Sequence, residues 1–280
     1  MRERAYAKIN LCLDVAGIRE DGYHDLKMIM VPIDFYDVLD MHTADETSLS
    51  LNRSFLPVDE KNTIIKAIRI MQRKYNVHSE YACVLQKHIP TRAGLAGGSS
   101  DAAAAIRMID RIERLHLSAE ELLATGKEVG ADVPFCILSR PAYVEGIGEK
   151  ITPFECHTDF NLLLVKPRKG VSTKEAFALV DKRETVHPDC MKMRNALMHN
   201  DYQGIVDSLG NSMEDAAIEI VQDIRHVKEE LKDKGFDGVL MSGSGSTVFG
   251  ITRDKDLAVR AMDEMKKQKY FVRLTKVMNG

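Results

Sequence analysis

No stretch of the 280-residue chain comes near the roughly 18–20 consecutive apolar positions that a membrane-spanning helix needs. A helical membrane protein is therefore not expected. Charge of one sign is also scarce: 39 Lys and Arg against 42 Asp and Glu leave a formal net charge of -3. Such a balance supplies no basic face for nucleic acid or anionic lipid. The five cysteines, Cys12, Cys83, Cys136, Cys156 and Cys190, form no C-x-x-C pair, so neither a disulfide framework nor a zinc site is expected. The opening MRERAYAKINL lacks the apolar stretch and small-residue cleavage site of a signal peptide. Together these point to a reduced, cytoplasmic setting. Three nucleotide-binding signatures are missing as well: G-x-x-x-x-G-K-[ST], G-x-G-x-x-G, and the H-R-D and D-F-G pair of protein kinases. No internal repeat or long linker interrupts the chain.

What is present is PTRAGLAGGSSDAA, residues 90–103, with Gly94, Gly97, Gly98, Ser99 and Ser100 ahead of an alanine run at helical spacing. Glycine costs conformational entropy on folding, so three together imply a use. A loop of small residues feeding a helix N-terminus suits a phosphate, because unpaired N–H groups and the helix dipole face the anion. A tight strand-to-helix turn without a ligand is the other reading.

Periodicity places the surroundings. Residues 4–16 alternate as a strand, with Lys8 and Asn10 on one face. Residues 28–41 return as strand. Ile64, Ala67, Ile68 and Met71 mark a helix over 63–75 with Asn62 or Thr63 as N-cap. Residues 81–86 read as a strand, and a helix is expected from near Ser99. SAEE at 118–121 is a capping box for a helix to about Val129. After residue 150 a buried strand at 160–167 is followed by helices, the longest over 214–234 and closed by Gly235. Two strands flank a glycine-serine turn at 242–246, then come a helix at 255–267 and a strand at 269–277.

The pattern P-x-x-x-G-L-[GA]-G-G-S-S-[DN]-A-A resembles the phosphate loop of the GHMP kinases. AYAKINLCLDVAGIREDGYHDL (5–26), GADVPFC (130–136) and VEGIGEKITP (144–153) are similar to the branch of that family whose substrate is a cytidyl-diphosphate methylerythritol. LMSGSGSTVFG (240–250) resembles the family's C-terminal glycine motif. The resemblance implies an α+β, two-lobed GHMP kinase fold. Its ribosomal-protein-like, ATP-binding lobe would span 1–150 and its ferredoxin-like lobe 151–280. It implies phosphorylation of the C2 hydroxyl of the methylerythritol moiety by ATP with Mg²⁺, on the non-mevalonate route to isoprenoids. The partners expected are those small molecules, with no nucleic acid or membrane, on a monomer or weak homodimer.

Site residues follow from the same resemblance. Asp132, read alone, is a turn aspartate bonding its own backbone; the resemblance makes it the candidate base. Lys8, otherwise a solvated strand lysine, becomes the charge that favours the ionised base and the developing alkoxide. Asn10 would position the substrate. Tyr23, His24, Thr173 and Phe177 would form the cytosine site, the base lying between Tyr23 and Phe177, although a Tyr-His turn is ordinarily a surface feature and a helical Phe is ordinarily core. ATP would lie along Pro90, Thr91, Arg92, Ala93, Gly94, Leu95, Ala96, Gly97, Gly98, Ser99 and Ser100, with Asn62 and Lys87 nearby. Ser99 or Ser100, the latter preferred, would reach Mg²⁺. Ala96 stands where many relatives carry glycine, so no positive φ is expected there. Residues 184–200 match nothing. A homoserine or mevalonate kinase, a non-catalytic ligand-binding relative and an RNA-binding module are the competing readings; DGYH, the retained Lys8 and Asp132, and the balanced charge weigh against them in turn.

Overall fold

The computed structural model describes residues 1–279. The chain packs as two units, neither one continuous stretch. The first takes Met1–Ala7, Phe35–Pro90 and Ala96–Ser139; the second takes Lys8–Asp34, Thr91–Leu95 and the chain from Arg140 onward. The division at residue 150 suggested by the sequence is thus not the division by packing: residues 8–34, 91–95 and 140–150 pack with the second unit. Two long strands, β1 (Arg2–Ile18) and β2 (His24–Ala44), supply residues to both units.

In the first unit, β3 (Ser48–Leu51) runs parallel to β4 (Glu80–Gln86), and β4 pairs antiparallel with β2 from Val38↔Gln86 to Ala44↔Glu80. Between β3 and β4 lies α1 (Thr63–Tyr75), started by the Asn62 side chain accepting from Ile64 N at 2.9 Å. Its neighbour α2 (Gly97–Glu113) buries Ala102, Ala103, Ala104 and Ala105 completely. So small a stripe lets another helix approach closely. α3 (Ala119–Val129) opens on the Ser118–Glu121 capping box, and α4 (Val133–Leu138) follows.

In the second unit, the hairpin of β5 (Ala142–Gly146) and β6 (Lys150–Pro153) pairs with β2 through Leu26↔Gly146 to Met30↔Ala142. β7 (Asn161–Lys166) is a buried central strand; Leu162, Leu163, Leu164 and Val165 have no exposed surface. Then come α5 (Thr173–Val180), α6 (Cys190–Met198), α7 (Tyr202–Asp207) and the short β8 (Gly210–Asn211), which joins β1 in parallel at Cys12↔Gly210. The helix expected over 214–234 is two: α8 (Glu214–Ile220) and α9 (Asp223–Asp233). The break falls at Val221, whose buried, β-branched side chain sits on extended backbone (φ -136, ψ 90). β9 (Gly238–Met241), β10 (Val248–Thr252), α10 (Lys255–Lys267) and β11 (Phe271–Thr275) complete an antiparallel sheet of order β11-β7-β10-β9. The α+β class is as expected.

The cysteine expectation is corrected. Cys12 on β1 and Cys190 at the start of α6 form a disulfide with Cα atoms 5.5 Å apart. They lie 178 residues apart, so only tertiary structure brings them together. Burial pushes the Cys83 and Cys156 thiols up to about 12 and about 11, so both stay protonated near neutrality. Among the described residues no helix is long and apolar enough to cross a membrane.

Candidate active site

In the first unit, the N-terminus of α2 has no side-chain cap and no acidic residue in its first turn. Its leading N–H groups and the positive end of its dipole are therefore available to an anion. Gly98 is exposed, and a Cβ built there meets nothing nearer than Thr63 Oγ1 at 3.5 Å. Thr63 Oγ1 donates to Gly98 O at 2.7 Å and joins the starts of α1 and α2. Gly97 is confined differently, since a Cβ there would lie 2.9 Å from Ile89 Cγ2. Ala96, expected without positive φ, is left-handed (φ 55, ψ 28). The chain must turn sharply into α2 there, and alanine bears that strain.

The two serines differ. Ser100 is buried, and its hydroxyl is 2.6 Å from Tyr6 O and 3.1 Å from Ala96 O, donating into the backbone. That leaves Ser100 ill placed for the Mg²⁺ role expected of it, whereas Ser99 is half-buried on the same turn. Asn62 is occupied too: it caps α1 and donates to Pro57 O at 2.8 Å. Lys87, expected near the nucleotide, is 4 % exposed and held by Asp37 and Asp101.

Asp132 is the N-cap residue of α4, is half-buried, and does not cap that helix with its side chain. α4 is fixed at its other end by Arg107, which sequence reasoning did not single out. Its Nη1 donates to Cys136 O at 2.7 Å and Ile137 O at 3.1 Å, and its Nε donates to Glu3 at 2.6 Å. Burial lowers the Arg107 pKa, but a guanidinium remains charged at any working pH.

In the second unit, the first half of the glycine loop is taken up by the fold. Ala93 O accepts from Thr247 N at 3.2 Å, Gly94 O from Ser242 Oγ at 3.0 Å, and Leu95 O from Lys8 N at 3.2 Å. Gly94 has φ +73, and a Cβ there would land on the Ser242 carbonyl oxygen. Beneath the 242–246 turn, Lys8 and Asn10 are buried side by side, with Lys8 Nζ donating to Asn10 Oδ1 at 2.7 Å. Gly243, at φ +57, lets the turn come this close: its Cβ would sit 3.3 Å from Asn10 Oδ1 and 3.4 Å from Lys8 Nζ. Asn211 holds the turn by donating to Met241 O and Gly243 O, both at 2.8 Å. Asn10 Nδ2 is a buried donor with no partner among the described residues, a feature that needs an explanation and that a bound acceptor supplies.

His24 stacks on Phe177, with centroids 4.3 Å apart and planes at 18°, and Tyr23 is 61 % exposed. His24 Nε2 is 2.6 Å from Asp181 Oδ1. Thr173 Oγ1 is 2.8 Å from Ser244 Oγ. Next to His24 is a cavity of about 540 Å³ lined by Val15, Ile18, Asp181, Arg183 and His187 among others. Part of the segment that matched nothing in the sequence thus forms a wall beside His24.

The model of the GHMP kinases N terminal domain matches residues 62–140, and that of the GHMP kinases C terminal region matches 193–270. A 4-diphosphocytidyl-2-C-methyl-D-erythritol kinase of Clostridium beijerinckii is 41 % identical over 280 residues, covering 99 % of this chain and 100 % of its own. The crystal structure of a 4-(cytidine 5'-diphospho)-2C-methyl-D-erythritol kinase aligns over 100 % of both chains with a TM-score of 0.84 at 28 % identity. A homoserine kinase from Cytophaga hutchinsonii shares the fold, with a TM-score of 0.76 at 18 % identity over 97 % of this chain and 94 % of its own.

Proposed function

The chain belongs to the 4-diphosphocytidyl-2-C-methyl-D-erythritol kinases of the GHMP family, and on that premise we propose that Asp132 and Lys8 carry its chemistry. The enzyme phosphorylates the C2 hydroxyl of 4-diphosphocytidyl-2-C-methyl-D-erythritol from ATP, giving the 2-phosphate and ADP on the non-mevalonate route to isoprenoids. Asp132 accepts the hydroxyl proton. Lys8 steadies the alkoxide as it forms, and the charge it presents is oriented by Asn10. Asn10 Nδ2, left without a partner by the protein, donates to the substrate.

One observation carries the phosphate assignment: the uncapped first turn of α2, with Gly98 open beside it. The backbone of residues 96–99 holds the triphosphate there, and residues 90–95 shape the approach. Mg²⁺ arriving with the nucleotide would neutralise phosphate charge, and the Ser99 hydroxyl is the side chain on this turn that would help hold it. A hard cation that arrives largely liganded by phosphate and water fits a site with the Ser99 hydroxyl and no carboxylate in the turn. Phe177, Thr173, Tyr23 and His24 receive the cytidyl end, His24 exchanging its stack on Phe177 for the base. One family match lies before residue 150 and the other after it. The working place is the cytoplasm, as a monomer or weak homodimer without nucleic acid.

The test is ADP release from the purified protein with Mg²⁺, ATP and each of three alcohols. The cytidyl substrate should give turnover, and homoserine and mevalonate should not. Turnover on either of the latter in place of the first would defeat the reading.

A further inference from the structure

α4 is too short to hold its own position. It spans six residues, Val133–Leu138, about 9 Å of helix, below the length at which a helix is stable alone. Val133, Phe135 and Cys136 bury its inner face, but apolar contact is not directional and leaves the helix free to slide. Its register is set by hydrogen bonds at its end. A helix C-terminus leaves carbonyls without intrahelical partners. Here Phe135 O accepts from Ser139 N at 2.8 Å, while Cys136 O and Ile137 O accept from Arg107 Nη1 at 2.7 and 3.1 Å. The Arg107 side chain is 21 % exposed, and its charge lies at the negative end of the α4 dipole. Its Nε donates to Glu3 on β1 at 2.6 Å, and Glu3 also pairs with Arg111, one turn further along α2.

The Asp132 carbonyl accepts from Cys136 N at 3.1 Å, and the Cys136 carbonyl is the one that Arg107 holds most closely. Two hydrogen bonds in series therefore run from the Asp132 backbone to a side chain of α2, the helix whose first turn is assigned to the triphosphate. We propose that Arg107, anchored by Glu3, is a positioning residue for Asp132: it fixes the base relative to the phosphate turn and touches neither substrate. The proposal rests on the reading of Asp132 as the base. The Ser100 hydroxyl, on that first turn, lies 3.4 Å from the Cys136 thiol, so a second polar contact joins the same two helices at the same residue of α4. A planar guanidinium spans two successive carbonyls and a carboxylate at once; a lysine ammonium, a point charge on a flexible stem, does not hold that geometry. Loss of the fork leaves α4 packed but lets Asp132 drift along the helix axis. A proton acceptor displaced in this way costs turnover and not binding.

The test is a double-mutant cycle in the full-length protein: wild type, Arg107→Lys, Asp132→Asn and the two combined, with Glu3→Gln as a milder cut of the same strut. Each is assayed for ADP release at saturating MgATP and cytidyl substrate, for both KM values, and by thermal melt. Arg107→Lys should lower kcat about tenfold, leave both KM values within about twofold, and melt within a few degrees of the wild type. Added to Asp132→Asn, it should change the residual kcat by less than about twofold, since no base is left to misplace. Glu3→Gln should lower kcat about threefold with the same dependence on Asp132, and it decides the question alone if Arg107→Lys does not fold. Wild-type kcat in folded Arg107→Lys, or in Glu3→Gln where the lysine variant does not fold, would overturn the proposal. An equal fall in kcat with and without Asp132 would overturn it too, since Arg107 would then only hold the fold together. Normal turnover by Asp132→Asn alone would instead strike down the base assignment, on which this proposal stands.

Discussion

In residues 93–95 every carbonyl is taken: Thr247, Ser242 and Lys8 each donate to one of them, and Gly94 has no room for a side chain. In residues 97–99, a few positions on, no side chain caps the helix and Gly98 opens onto space. One glycine-rich loop therefore holds two kinds of position. The first half is small because protein backbone comes up against it. The second half is small without a protein neighbour to demand it at Gly98, and a ligand that must reach the backbone supplies the demand. Glycine content by itself does not distinguish the two, and the space around each Cβ does.

Substitutions can break that contrast. The largest effect is expected at the proposed base. Asp132→Asn should lower kcat by about 10²–10⁴-fold with the melting temperature nearly unchanged; a stopped assay beside a thermal melt checks both, and near-normal turnover would remove Asp132 from the mechanism. Gly94→Ala comes next. It combines a left-handed backbone with a collision, so it should destabilise by about 3 kcal/mol or more by urea titration. A wild-type midpoint would mean the first half of the loop is not under the constraint described. Gly98→Val should leave the urea midpoint within about 1 kcal/mol yet raise KM for MgATP at least about tenfold. If stability fell and MgATP still bound normally, the two halves would be alike. Phe177→Ala should raise KM for the cytidyl substrate by about tenfold, the loss of one stack, with KM for ATP little moved. The smallest effect is the sharpest: Ala96→Gly relieves a left-handed alanine and should stabilise by about 1 kcal/mol, visible as a small rise in melting temperature.

Much of this was legible in the sequence because the signals were local. Ile64, Ala67, Ile68 and Met71 give the period of α1, Asn62 gives its cap, and Ser118 with Glu121 gives the start of α3. The ordering of GADVPF, DGYH and the glycine loop pointed to the candidate chemistry. What escaped depends on partners remote in sequence. Ala96 gives no hint of positive φ, since alanine elsewhere favours helix. Cys12 and Cys190 have no telling spacing. Lys87 looked like a cation beside a phosphate loop, and only the folded chain brings Asp37 to it across 50 residues. Arg107 reads as one more polar position on an alanine helix until the carbonyls of α4 meet it. His24 against Phe177 joins the first residue of β2 to a helix more than 150 positions away, a contact that periodicity cannot foresee.

The interleaving of the two units has a consequence for how the protein is made. All segments of the first unit have been synthesised once translation passes Ser139. The second holds residues 8–34, among the earliest made, yet its sheet is closed by β11 at Phe271–Thr275. At the usual rate of about 5–20 residues per second, about 12–48 s pass between the synthesis of Asp34 and that of Thr275, the end of the unit's last strand. During that interval Ile9, Leu11, Leu13, Ile29 and Val31, all buried in the finished protein, are the residues a chaperone would meet.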